Sequence, residues 1–325
     1  MSFDANTRRL MELFFCFDRK RTALAKENNR QFAHYTTAET AMKIIKGKSL
    51  WLRNAAVMND YSEIAYGRDV LEPVMDCELG DRFYKVLDAV QEGAADEVKR
   101  RHSNHRRNAR ETVFMASLSE HETGNKLGQL SMWRAYGGPV AGVALIFRRE
   151  VTELEPKIDL GISASPVLYG EPDDFVQEFH EMVLLLEKEI EFLKTTDPEL
   201  VINFAAYVLQ VAMYTIKHPG FKEENEWRII HRPYEFPSAH VKPVTVTIGG
   251  IPQAVYELPF HKPETDLLFD IPELDLNRIL ENVIIGPCLY PETIFRAFLN
   301  EMTAAGIERA RSRIIFSEIP LRQQG

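Results

Sequence analysis

The apolar positions of this chain fall into two kinds of pattern, short runs of strand length and longer stretches at helical spacing, and the two alternate irregularly along it. Val140-Ala-Gly-Val-Ala-Leu-Ile-Phe147 is a continuous apolar run suited to a central strand. Phe32 to Tyr35, Leu50-Trp-Leu52 and Trp227 to Ile230 read the same way. Strands are expected near 32–35, 49–53, 112–118, 140–148, 165–169, 226–232, 241–248, 252–257, 282–286 and 312–317. Leu10, Leu13, Phe14 and Phe17 form one stripe of a leading amphipathic helix over 6–28. Thr36 or Thr37 can cap a helix over 38–46, with Glu39 in its first turn and Gly47 at its end. Another helix is expected from about Lys126 to the Gly137-Gly138 pair. Residues 61–110 read as mostly helical, as do 172–217, where Asp197-Pro198 breaks the block and starts a new helix.

Some strands follow each other through short turns such as Gly249-Gly250, which favours α+β with a mixed or largely antiparallel sheet over a doubly wound parallel one. The organisation expected is an N-terminal helical arm over 1–29, then a single α+β domain over 30–320 with helical insertions at about 61–110 and 172–217. The residues after Leu321 are expected to fray.

At 325 residues the chain can bury a large core. A formal charge of -9 and a pI near 5.6 argue against nucleic-acid binding through the whole surface. The charge is uneven, however. A basic run opens at Lys99 and closes at Arg110, and it offers contacts to phosphate or nucleic acid, or simply a solvated helical face. Cys16, Cys77 and Cys288 have neither disulfide nor zinc spacing, and the histidines have no metal spacing, so no metal is expected. No stretch has the apolar length to span a bilayer, and the expected home is the cytoplasm.

The richest chemistry lies in Phe221-Lys-Glu-Glu-Asn-Glu-Trp-Arg-Ile-Ile230, where carboxylates run directly into a buried strand. A carboxylate taken out of water needs a cation or a task. Glu226 and Arg228, two apart on a strand, share a face and can pair with each other. Asn59 or Asp60 reads as a helix cap, and Asp60 with Glu63 as further acids.

His34-Tyr-Thr36, Leu50-Trp-Leu52 with Asn59-Asp60 and Glu63, Ser117-Leu-Ser-Glu120, Trp133-Arg-Ala-Tyr-Gly137, Glu223-Glu-Asn-Glu-Trp-Arg-Ile229 and Val283-Ile-Ile-Gly-Pro287 together resemble the bacterial family known as domain of unknown function 2971. The resemblance runs from about residue 30 to 320. A further, fold-level resemblance is to the ADP-ribosyltransferase superfamily, which splits an antiparallel sheet around NAD. It implies that His34 and Thr36 contact the nicotinamide ribose, that Tyr136 stacks on the nicotinamide ring, and that Glu226 is the catalytic carboxylate. Arg53 or Arg228 would then face the pyrophosphate. The expectation is an NAD-using enzyme, in a defence or toxin setting, with an acceptor that the sequence does not name. Two alternatives stand beside it. One is a non-enzymatic binding or assembly protein with a structural Glu-Arg cluster, and the other is a metal-dependent hydrolase or nuclease built on Asp60, Glu63 and Glu226.

Overall fold

The computed structural model describes residues 4–57, 61–138, 140–152, 160–260 and 274–320, with the side chains of 61–63 and 108–110 left out. Asn59 and Asp60, the side chains of Glu63 and Arg110, and the end of the chain after residue 320 therefore lie outside the described residues. The strands are β1 (Gln31–Thr37), β2 (Ser49–Asn54), β3 (Phe114–His121), β4 (Gly142–Phe147), β5 (Ile162–Pro166), β6 (Leu168–Tyr169), β7 (Ile216–Lys217), β8 (Glu226–His231), β9 (Lys242–Ile248), β10 (Ile251–Pro259), β11 (Leu280–Ile285) and β12 (Ile314–Phe316). The helices are α1 (Ala5–Phe14), α2 (Cys16–Glu27), α3 (Ala38–Gly47), α4 (Tyr61–Met75), α5 (Glu78–Val90), α6 (Ala94–Thr112), α7 (Leu130–Tyr136), α8 (Pro172–Lys188), α9 (Ile190–Thr195), α10 (Pro198–Thr215), α11 (Leu276–Ile279), α12 (Pro291–Ala304) and α13 (Ala310–Arg313).

The fold is α+β with a mixed, mostly antiparallel sheet. The chain divides into two compact units. One comprises Met1–Leu24, Asn54–Val113 and Ser165–Lys222, and the other Ala25–Arg53, Phe114–Ala164 and Glu223–Gly325. The leading helical stretch as far as Leu24 and both expected helical insertions thus gather into the first unit.

That first unit is helical, with a core built from Leu10, Leu13, Phe14, Leu71, Phe83, Phe179, Leu186 and Leu209. Local chemistry sets its helix ends. Asp4 caps α1 by accepting from the Thr7 amide, Glu171 and Asp174 form a capping box at α8, and Asp197 caps α10 with Pro198 at the first helical position. The single helix expected over 6–28 is interrupted at Phe15, whose backbone leaves helical geometry while its ring packs on Phe204 and Tyr207. Arg100, Arg101 and Arg106 of the basic run in α6 have carboxylate partners. Arg100 and Arg101 donate to Glu97, Arg101 also to Glu199, Arg106 pairs with Glu72, and Lys99 lies 4.2 Å from the Tyr84 ring centre.

The second unit carries the large sheet, ordered β12-β11-β4-β1-β3-β2-β10-β9, with β8 on β3 and β5 on β8. β11 and β12 are parallel, and β1 with β3 and β4, β2 with β10, β3 with β8, β4 with β11 and β9 with β10 are antiparallel. Alternation gives the sheet two faces. Phe32, Leu50, Leu52, Leu118, Leu145, Phe147, Trp227 and Ile229 face a core closed by Ile44 and Ile45 of α3 and Phe298 and Met302 of α12. On the other face Ala33, Tyr35, Ala144, Ile146 and Ile284 meet Met132 and Trp133 of α7. Of the two candidate caps for α3, Thr37 takes the role by accepting from the Thr40 amide. α7 starts at Leu130, later than expected. The Asn125 side chain accepts from the amides of Leu127 and Gly128, and Gly128 has φ +72°.

The Trp133 indole rests against glycine backbones from three segments. A Cβ would come within 2.6 Å of the indole at Gly128, 3.2 Å at Gly142 and 2.8 Å at Gly286. Its Nε1–H donates to the Leu127 carbonyl at 3.0 Å. No helix of the described residues is long and apolar enough to cross a membrane.

Two expectations follow. Gly286→Ala forces a methyl into the Trp133 ring and the Gly142 carbonyl and is expected to lower the unfolding free energy by about 1–3 kcal/mol, read from the denaturant midpoint. An unchanged midpoint would contradict this packing. Burial pushes the Asp18 carboxyl from its ordinary 3.8 up to about 7, against which a Ser165 hydrogen bond acts only in part. The native state therefore binds this proton more tightly than the unfolded chain. The stability it contributes is present below about pH 4 and is lost as pH rises through 7. Asp18→Asn is expected to be more stable than the parent at pH 8 by up to a few kcal/mol, at ~1.4 kcal/mol per pK unit, and equal to it near pH 3.5. Equal midpoints at both pH values would show that Asp18 is not desolvated.

Candidate functional site

The site is built on β3, which is shared by more strands than two edges ordinarily serve. β8 pairs with it from Phe114↔His231 to Ser119↔Glu226. β1 pairs with it only at its far end, at Ser119↔Ala33, Glu120↔Phe32 and His121↔Gln31. At Ser119, β1 and β8 lie on opposite edges. β2 also borders β3, so it occupies the stretch of the β1 edge that β1 has left. The sheet consequently forks, with β1 leading to β4 and β2 leading to β10.

His34 is the first residue of β1 beyond its last pair with β3. Its Nδ1 lies 3.0 Å from the Ser117 carbonyl, to which the ring N–H donates. Burial, with the nearby Arg53 charge adding to it, lowers the His34 pKa below its ordinary value, partly opposed by the Ser117 bond. The neutral ring with its proton on Nδ1 leaves Nε2 as an acceptor. Arg53, next to the last residue of β2, lies opposite Val255, and its Nε donates to Gln253 Oε1 at 3.2 Å. Leu50 and Leu52 enter the core, so Trp51 and Arg53 take the other face of β2. Trp51 and Ser49 both donate to Glu257 there, each at 3.2 Å.

That same face carries the polar residues of β3 and β8. Ser117 lies opposite Arg228 and Ser119 opposite Glu226, while their neighbours Leu118, Trp227 and Ile229 fill the core. Glu226 and Arg228 form a bidentate pair. Arg228 Nε donates to Oε1 at 2.9 Å and Nη2 to Oε2 at 3.1 Å, with both side chains 4% exposed. The turn into β8 depends on Asn225, whose φ of +42° is left-handed and whose carbonyl accepts from the Glu120 amide. Asparagine is among the few residues that adopt this conformation readily.

Tyr136 ends α7, and its hydroxyl donates to Glu224 Oε1 at 3.4 Å. Thr36 sits in β1 opposite Val143, and His34 opposite Leu145, so alternation puts both on the Phe32 face of the sheet and not on the face of Arg53, Glu226 and Arg228. The structure therefore joins Glu226 to Arg228, His34 to Ser117 with Arg53 within electrostatic range, and Tyr136 to Glu224 two residues before Glu226. Glu224, Asn225, Ser117 and Ser119 were not singled out as site residues from sequence. The acidic run and the Ser117-Leu-Ser119 alternation were visible, but which strand would lie beside them was not. Among the described residues no group of histidine, cysteine and carboxylate side chains could hold a metal ion.

Residues 132–229 match the model of a family described as Protein of unknown function (DUF2971). The matched stretch opens within Met132-Trp-Arg-Ala-Tyr136 and closes within Glu226-Trp-Arg-Ile229, the segments that carry α7 and β8. It supports the resemblance to domain of unknown function 2971. No curated protein and no solved structure matches the chain.

The ion pair generates a stability prediction. Removing one partner leaves the other charge buried, so Arg228→Met alone is expected to cost about 3–5 kcal/mol in chemical denaturation. Arg228→Met combined with Glu226→Leu is expected to recover most of that loss. A single variant within ~1 kcal/mol of the parent would mean that water reaches the pair.

Proposed function

We propose that the fork between β1 and β2 receives NAD, and that the chain cleaves its nicotinamide–ribose bond in the manner of the ADP-ribosyltransferase superfamily. The observation that carries the reading is the opening of the sheet at His34, with Arg53 at the end of the strand across it. An imidazole that donates from Nδ1 to Ser117 offers Nε2 to a ribose hydroxyl. The Arg53 guanidinium suits a pyrophosphate, and Thr36 adds a hydroxyl on the same strand. The Tyr136 ring supplies an aromatic surface for nicotinamide.

In this chemistry the bond between the anomeric carbon and the nicotinamide nitrogen breaks. Its electron pair leaves with nicotinamide, and positive charge builds on the ribose. Glu226 would stabilise that charge, and a carboxylate acts strongly where water is excluded. The released ribosyl group then passes to water or to an acceptor nucleophile.

One observation favours a second reading. Glu226 and Arg228 are buried and mutually satisfied, as a structural ion pair in a binding or assembly protein would be. The two readings separate in one experiment. NAD titration by calorimetry and nicotinamide release are measured on the parent, Glu226→Gln and His34→Ala, with circular dichroism confirming that each variant is folded. The NAD reading expects binding by the parent, binding weakened about tenfold or more in His34→Ala, and release abolished in folded Glu226→Gln. No binding at millimolar NAD would overturn it and leave the pair a structural one.

A further inference from the structure

The helical unit contains a cavity of about 70 Å³ that the NAD reading does not use. Its walls include Phe14 and Phe15 at the junction of α1 and α2, and Phe175 and Phe179 of α8. The last two rings are stacked with centroids 5.6 Å apart. Most of the remaining lining comes from α10, β6 and β7 and is apolar apart from Thr215. Two carboxylate residues, Asp18 and Glu178, also line it, and among the described residues no lysine, arginine or histidine does. Lys20 binds Glu178 at 3.0 Å and pairs with Glu181 but does not itself line the space. The Asp18 carboxyl is held by Ser165, and its high proton affinity marks it as lacking a cationic partner strong enough to offset burial.

We propose that this cavity is a binding site for a small primary alkylammonium compound, whose chain occupies the apolar interior and whose ammonium group meets Asp18. The size supports a short chain. A dry apolar cavity of about 150 Å³ is what a benzene ring needs, so 70 Å³ suits roughly four carbons or a few waters. The walls support a cation, because ammonium groups are attracted to aromatic faces as well as to carboxylates. A carboxylate ligand of the same length would bring like charge to Asp18 and is disfavoured. A neutral alcohol gains the apolar burial but not the ion pair.

The test is saturation-transfer NMR on the full chain at pH 8 with n-butylammonium, n-butanol and butyrate in turn, repeated on Asp18→Asn and on Val208→Phe, which fills the lining. The expected result is saturation of n-butylammonium by the parent, with n-butanol at least tenfold weaker and butyrate absent. Asp18→Asn should lose about tenfold or more of the n-butylammonium affinity while n-butanol is unaffected, and Val208→Phe should lose both. Equal binding of n-butanol and n-butylammonium would overturn the cationic assignment. No transfer from n-butylammonium at tens of millimolar would overturn the site altogether. Should Asp18→Asn fail to fold, the comparison of the three probes on the parent decides alone.

Discussion

The candidate site depends on one constraint, the edge of β3 that β1 and β2 divide between them. A strand has two edges, and here β8 occupies one for most of its length. β1 takes the other only at Ser119 to His121, and β2 borders what remains. Backbone groups released by such a divergence need new partners, because a buried unpaired carbonyl or amide costs as much as a lost hydrogen bond. The Ser117 carbonyl finds the His34 ring. A side chain thus does the work of a ladder amide at the place where the ladder opens, which fixes both the tautomer of His34 and its position.

On the face of the sheet turned away from Leu118, Trp227 and Ile229, the Glu226–Arg228 pair answers a different demand. Two ions 4% exposed sit in a strand whose other face is core, and their attraction must offset the removal of both from water. The bidentate geometry makes this tolerable, since each charge is met by two directed hydrogen bonds. Such a pair is a poor source of net stability but sensitive to the loss of either partner. That sensitivity serves a fixed scaffold and a guarded catalytic carboxylate equally well, so activity has to be measured separately from folding.

Much of the fold was legible in the sequence. The apolar runs at 140–148 and 226–232 became β4 and β8, and the Gly249-Gly250 turn joins β9 to β10. The pairing of Glu226 with Arg228 follows from their spacing of two on a strand. Local chemistry also placed α3 and α10, through the Thr37 and Asp197 caps. What sequence did not reveal is long-range. The region expected as one strand at 165–169 splits, with β5 joining β8 and β6 pairing with the unanticipated β7. The break at Phe15 answers to aromatic partners nearly 190 residues away in α10, and Arg101 and Arg106 of α6 to carboxylates in α10 and α4. The fork itself is a matter of which strands meet β3, and no local pattern encodes that.

The fork is the central claim, and amide hydrogen exchange with and without NAD tests it most directly. If NAD enters between β1 and β2, the amides of 34–37 and 52–54 gain protection on adding the nucleotide, while the β9–β10 hairpin and α12 do not change. Unchanged exchange at both strands under saturating NAD, or protection spread evenly over the chain, would contradict the account.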